Sequence, residues 1–511
     1  MKRFLCWSAL ALLGLSICAA ETKVVRYEDF GAKGDGKTND HEAIRLAHEY
    51  ANKNNLPVRA NDKATYYIGA MSASAVIQTD TDWGKAKFIV DDTVDFKAFR
   101  QPLFRITSRL NQYVPEGITS LKAGQKKLEV TLPVKSLVQV YNSKKKQFIR
   151  YGGNANNGSD QRDLFVADKD GTIDQGAPIV WDFDTITSVV AYPIDDTTLT
   201  VNGGHFTTLT NHRPGRHIYF GRGIAINRSN TVLQNMRHDV VEPEGLDSWP
   251  YTGFINPSNC AYFTAKNCQV TGRKVYGWLQ PDGKKRKTTG TYDISGTSAA
   301  FLNFINVTQI NDNNDTVYWG VMGTNFCKAV TLDGCKVSRF DAHQGVTNAV
   351  IRNSVVGHQG INAIGFGTFL IENTKSTTNR LVNFRQDYGA TWRGNFIIRN
   401  CEIAPVQDSQ VNVFMGHCTP DHYFGYDCYM PESILIDGLK ITLPKGRNAA
   451  IFTNMDMKGK NTPDAPYRYN VVKNLTVNNL SVKGGSNAVL LARDPKFFAE
   501  TKVSGNAKLK R

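Results

Sequence analysis

Short bursts of branched apolar residues alternating with polar ones recur along most of the chain, and each ends at a polar corner. From Thr331 to Asn400 the same phrase occurs three times: TLDGCKV at Thr331, AVIRNSVV at Ala349 and FIIRNCEI at Phe396. Taking the Asn or Gly at the corner as an anchor extends the series to Asn235, Asn267, Asn306, Gly334, Asn353, Asn373, Asn400, Gly438 and Asn479. The closest anchors lie roughly 19 to 20 residues apart and the rest about 27 to 41, the pattern of a fixed coil with loops inserted into some of its turns. Each repeat is too short for a crossover helix, so the backbone groups of one coil must be satisfied by the next, which predicts an all-β solenoid.

Asn and Gly suit the corner because both tolerate the left-handed conformation of a sharp turn between strands. Stacking places equivalent residues about 4.8 Å apart, so columns are readable. Directly after the anchors come Met236, Cys268, Val307, Cys335, Ser354, Thr374, Cys401, Leu439 and Leu480, small or apolar residues predicted to point inward. Cys260 and Cys327 stand seven residues before the corners at Asn267 and Gly334, in CAYFTAKNC and CKAVTLDGC; with no histidine beside them they read as a buried thiol ladder rather than a metal site.

Ahead of the coils, GAKGDGKTND ends in Asn39 and Asp40, both good helix caps, and Ala43, Ile44, Leu46, Ala47 and Tyr50 then mark an apolar helical face. A helix across the open end would shield unpaired strand edges and exposed core. The stretch DFGAKGDGKTND resembles the opening of the pectate lyase superfamily, whose members begin with a closely similar phrase before a capping helix. The resemblance implies a right-handed parallel β-helix, and it spans lyases, hydrolases and phage tailspikes alike, so it leaves activity open. The polygalacturonase phrases of that superfamily are represented only by GHQG at Gly357, without the acidic pair, and the RxPxxR phrase of pectate lyases only by a partial echo in HRPGR at His212.

From Arg105 to His212 the repeat gives way to hairpin-like alternation, in SLKAGQKKLEVTL, SLVQVYNSKKKQFIRYGG and DDTTLTVNGGHFTTL, predicting an inserted β-rich module. The expected organisation is a signal peptide over residues 1–20, a cap helix with the first coils over 21–104, the module over 105–215 and the groove-bearing β-helix over 216–511. The signal reading rests on Lys2 and Arg3 before a short apolar run with Cys18 and Ala20 at its end; Cys18 as a lipid-bearing cysteine is the alternative. Either predicts a secreted or periplasmic protein, and no later segment is apolar and long enough to span a bilayer.

The formal charge is +15, or +13 without Lys2 and Arg3. For an exported solenoid, this points to an acidic polysaccharide as partner in preference to nucleic acid, and to a monomer. Nine cysteines, seven beyond the signal, do not form a disulfide framework; Cys418 and Cys428 within one loop are the one plausible pair. No cofactor is expected. DKDGTID from Asp168 to Asp174 and NDNND from Asn311 have carboxylates at a calcium-like spacing, which a hairpin turn explains equally well.

Counting back 14 or 15 residues from the anchors gives Tyr292, Trp319, Arg339, His358, Arg385 and the pair His422 and Tyr423, a column suited to an acidic sugar chain. SRFDAHQG sets Arg339, Asp341 and His343 on alternate residues, so an extended strand turns all three to one side. FRQDYGATW repeats the theme with Arg385, Asp387, Tyr388 and Trp392. For a uronate substrate this set suits β-elimination: Arg339 and Arg385 neutralise the sugar carboxylate, His343 is the base and Tyr388 the acid or second base. Asp341 and Asp387 orient these groups, and Tyr292, Trp319, His358, Trp392 and His422 contact the sugar. Hydrolysis by Asp341 with Asp387, or by Asp421 with Asp427, is the first alternative; a non-catalytic binding solenoid is the second. A further basic stretch carries His205, His212, Arg213, Arg216, His217, Arg222 and Arg228, either a sugar-acid subsite or a solvated face.

Overall fold

A computed structural model of the chain describes residues 23–94, 97, 99–151, 157–212, 219–241, 248–275, 277–279, 282–287, 292–416, 422–453, 469–484, 489–492 and 500–510. The expected signal peptide, Cys18, Arg213, Arg216, His217, Cys418 and Asp421 lie outside them.

Nearly every strand pairs in parallel with its equivalent one coil before and one coil after. Three such ladders run the length of the chain. The first joins Ile255–Pro257 to Ile294–Thr297, residues 322–325, 340–341, 361–363, Arg380–Phe384 and Val411–Met415. The second joins Ala261–Lys266 to Ala300–Ile305, residues 328–333, 346–352, Gly365–Glu372, Trp392–Arg399 and Ser433–Asp437. The third joins Arg237–Val241 to Gln269–Val270, Thr308–Gln309, residue 336, residues 355–356, Lys375–Ser376, Glu402–Ile403 and Lys440–Thr442. This is the right-handed parallel β-helix that the repeat and the opening phrase predict.

The corner between second and third sheets is built as read from the sequence. All nine anchors have positive φ, between 51° and 76° apart from Asn373 at 47°. Their amides also join coil to coil: Asn306 Nδ2 donates to Asn267 Oδ1 at 3.1 Å, and Asn373 Nδ2 to Asn353 Oδ1 at 3.4 Å. The column after the corner is buried from Met236 to Leu439, with Leu480 half-buried at its end, and the thiols of Cys260, Cys268, Cys327, Cys335 and Cys401 lie inside the coil. A β-branched side chain in the left-handed region costs about 1–2 kcal/mol. Asn373→Val should therefore lower the stability read from urea unfolding by that much, whereas Asn373→Gly should leave it nearly unchanged.

The helix His41–Asn54 packs on the first coil with Ile44, Ala47, His48 and Ala51 buried. Leu46 and Tyr50, expected on that face, are instead 37% and 38% exposed; His48 takes the inward place, its Nε2 meeting the Tyr27 hydroxyl at 2.9 Å. Asp40 is the residue before the helix, but its carboxylate accepts from the Lys33 and Gly34 N–H groups instead of capping the first turn.

In sequence, between the first coils and the remainder, comes an antiparallel sheet of Ser136–Gln147, Ser159–Ala167 and Ser188–Pro193 with its own apolar core. Leu199–Leu209, read from sequence as part of this module, pairs in parallel with residues 81–91 and with Thr231–Gln234 and Arg237–Val241, so it belongs to the coils. The module is pinned down by a buried ion pair, Lys328 Nζ to Asp163 Oδ1 at 2.5 Å. In DKDGTID, Asp170 accepts from Thr172 and Lys127, and Asp174 from Gly176 and Tyr262, so these carboxylates serve the turn.

Candidate functional site

The exterior of the first sheet carries a dense polar constellation. Phe340 and Ala342 point into the coil, which turns Arg339, Asp341 and His343 outward as the alternation predicts. Asp341 is the hub. Arg385 Nη1 donates to its two oxygens at 3.1 and 2.9 Å, Arg339 Nη2 donates at 2.9 Å, and the Tyr292 hydroxyl donates to the same carboxylate. Arg385 then turns its other edge to Asp387, with Nε and Nη2 at 3.1 and 2.7 Å from the carboxylate. Arg150 reaches Asp387 from the module at 3.0 Å.

Two glycines make room for this hub. A Cβ at Gly320 would lie 2.9 Å from that of Arg339, and one at Gly323 would lie 2.8 Å from the Tyr292 ring. Arg339 in turn lies over the Trp319 ring, 4.2 Å from its centroid.

Burial alone would raise the pKa of Asp341, yet Arg339 and Arg385 outweigh it and hold the carboxyl well below the usual carboxylate range. Asp387 is likewise held down against its burial, chiefly by Arg385. Burial, with the positive charge of Arg385, pushes His343 down to about 4, so its imidazole is neutral above that pH. Its Nδ1 lies 3.0 Å from Asn325 Oδ1, which makes Nδ1 the protonated nitrogen and leaves Nε2 as the acceptor. Tyr388 is the common neighbour: His343 meets its ring edge to face at 5.6 Å, and the Arg385 and Arg150 guanidinium groups lie 5.5 and 5.7 Å from it.

Beside the hub a cleft of about 560 Å³ opens on the sheet. Its walls are cationic and amide-bearing: Arg339, Arg380 and Arg385 with Gln359, Asn362, Asn383 and Gln386, together with Trp319 and Asp387. Asn362 and Asn383 are successive rungs of the first sheet, joined by a 2.7 Å hydrogen bond, so the floor continues the coil repeat.

The structure thus brings together Arg339, Asp341, His343, Arg385, Asp387, Tyr388, Tyr292 and Trp319, but not all of them face a ligand. Asp341 is fully buried and Tyr292 6% exposed, so both support the arginines rather than touch a sugar. Tyr388 is 1% exposed and forms a wall under His343, not an accessible acid. Trp392 is in the hydrophobic interior between Phe369 and Phe396, its Nε1–H donated to the Gly367 carbonyl; even spacing with Phe396 and Ile398 was the available signal. His358 packs on the loop at Asn313, its Nδ1 3.2 Å from that carbonyl oxygen, and His422 donates to the Ile149 carbonyl at 3.1 Å; neither lines the cleft, and His343 lies next to its Arg385 and Asp387 wall rather than on it. The basic stretch before Asn235 disperses: Arg222 is buried beside Asp92, Arg228 beside Asp195, and His205 faces outward on the third sheet against Asp239. Arg150, Asn325 and Arg380 were not read from the sequence.

No family model and no curated protein sequence matches the chain. Among solved structures it is similar to the tailspike protein gp49 from Pseudomonas phage LKA1, with a TM-score of 0.48 and 14% identity over 94% of this chain and 84% of that one. It is also similar to PfbA, a surface adhesin of Streptococcus pneumoniae, at 0.46 and 12% over 95% and 91%. An exopolygalacturonase from Thermotoga maritima follows at 0.34 and 10% over 95% and 92%. At these scores the likeness carries no functional argument, and the fold rests on the strand register. No helix among the described residues is long and apolar enough to cross a membrane.

Proposed function

We propose that the chain binds a uronate-containing polysaccharide in the first-sheet cleft and cleaves it by β-elimination. The observation that carries this reading is Arg385, a cation on the cleft wall held by Asp341 and Asp387, beside a histidine that is unprotonated at ordinary pH. A proton next to a sugar carboxylate becomes acidic only when that carboxylate's charge is offset, the task of Arg385 and Arg339. His343 Nε2 takes the proton, the carbon–oxygen bond to the leaving sugar breaks as the ring double bond forms, and the imidazolium is the adjacent acid for the departing oxygen. Tyr388 keeps the imidazole in place.

The hydrolytic alternative needs one carboxyl that holds a proton. Asp341 and Asp387 are both held ionised by arginines, and Asp341 is sealed, which weighs against that pair.

Elimination leaves an unsaturated uronide that absorbs ultraviolet light; hydrolysis leaves reducing ends without it. Pectic, alginate and glycosaminoglycan chains incubated with the protein should yield the absorbing product from at least one. Arg385→Ala should lower that rate by about 10²–10³. New reducing ends without absorbance would move the reading to hydrolysis, and binding without shortening of any chain would move it to a non-catalytic solenoid.

A further inference from the structure

The third sheet presents a second charged feature, on a face the cleft does not use. Two residues past each corner, the side chains point outward and stack along the axis. The register carries this column from Lys87 through His205 and Arg237 to Lys336, Lys375 and Lys440. Lys87, Lys336, Lys375 and Lys440 are exposed. The rungs between are neutral apart from Glu402, which lies 3.4 Å from Lys375, and Asp239 beside the column is paired with both Arg237 and His205 at 2.6 and 2.5 Å.

The column on the other side of the same corner shows what a purely structural ladder looks like. There Asp333, Arg352, Glu372, Arg399 and Asp437 alternate in sign, rung by rung, and bond to each other: Arg352 to Asp333 at 2.8 Å, Arg399 to Glu372 at 3.2 Å. Alternation is the stabilising choice, because like charges on facing rungs repel. The third-sheet column departs from it from Lys336 onward, where Lys336, Lys375 and Lys440 face a single carboxylate, Glu402. With rungs about 4.8 Å apart, cations on alternate rungs lie about 9.6 Å apart, a little over the Debye length of about 8 Å at physiological salt and well within that of about 30 Å at about 0.01 M, so their potentials add along the axis as salt falls.

We propose that this stripe is a second, non-catalytic track that holds an extended acidic polysaccharide along the helix axis. The partner class is taken from the reading of the cleft, but the surface, the residues and the test are separate. A linear polyanion matches a linear array of ammonium groups at a fixed rise and gains from counterion release at each contact. A short oligomer that fills only the cleft gains nothing from it.

The test compares long polygalacturonate with its trisaccharide, by affinity electrophoresis and calorimetry, against the charge reversal K336E/K375E/K440E. The variant should bind the long chain at least about tenfold more weakly, with a shallower dependence of log K on log salt between about 50 and 200 mM, and should bind the trisaccharide as the wild type does. A control reversal on the module, K126E/K144E/K169E, should leave long-chain binding within about twofold. Unchanged affinity and salt slope in the column variant overturn the track, and equal losses in both variants reduce it to bulk charge. Duplex DNA held as tightly through the same lysines overturns the choice of partner. If the wild type takes up neither polygalacturonate form, the reading of the cleft fails for this polymer; long-chain binding kept in Arg385→Ala and lost in the column variant separates the two.

Discussion

His343→Ala is expected to lower kcat on the cleaved polymer by about 10²–10⁴, the contribution of a positioned general base, and to leave the fold intact. The side chain is partly exposed and its contacts are a single hydrogen bond to Asn325 and a ring edge on Tyr388, so its removal opens no large cavity. The pH profile is the sharper readout. Only the neutral imidazole accepts a proton, and burial beside Arg385 has pushed His343 down to about 4. Activity should therefore be flat from neutrality down to about pH 5 and fall as the pH drops through the histidine's value, whereas an unperturbed histidine would give an acid limb near 6.5. A limb at 6.5, or undiminished turnover in the variant, would remove His343 from the mechanism.

Asp341→Ala should cost about 3–5 kcal/mol of stability, because it leaves the largely buried Arg339 and Arg385 without the counter-charge they share. Arg339 is 5% exposed and Asp341 fully buried. Asp341→Asn keeps the shape and should lose less, with the same sign. The carboxyl's folded value lies below its unfolded one, so its stabilising contribution is complete above about pH 4 and disappears as the pH falls through the folded value. Urea midpoints of wild type and Asp341→Asn should accordingly converge in acid. Equal gaps at pH 7 and pH 3 would mean that the carboxylate's charge does not hold the hub together.

The corner and the column after it were legible in the sequence because nothing intervenes between them. An Asn or Gly in the left-handed region fixes the turn, and one residue later the side chain must enter the coil. The acidic and basic phrases were legible for a related reason: alternate residues in one strand share a side, which placed Arg339, Asp341 and His343 together. Counting back failed at His358 because the register slips between Val337 and Arg339 and sets Gly360, not His358, beside Arg339, and at His422 because a long insertion precedes it and the ring goes to the Ile149 carbonyl. Burial of the hub was not legible either, since what covers Asp341 is Tyr292 and two arginines, gathered from more than one coil. Arg150 gave no signal at all: it arrives from just past the end of an antiparallel strand in the module, and only tertiary docking sets it on Asp387. Leu46 and Tyr50 show the limit of an amphipathic pattern at a helix, where the buried arc followed His48 and Ala51 instead.

Because the cleft floor is made of equivalent rungs, with Asn362 over Asn383 and Met415 next in line, its length is counted in turns of the chain. Duplicating one loop-free turn of about 20 residues would extend the floor by a single rise of about 4.8 Å and disturb no contact beyond the two turns it separates. The length of the cleft is therefore free to evolve in whole steps by copying and deleting segments, and the hub around Asp341 stays unchanged only where the copied turn enters beyond Arg385, because a turn inserted between Asp341 and Arg385 would pull that ion pair apart.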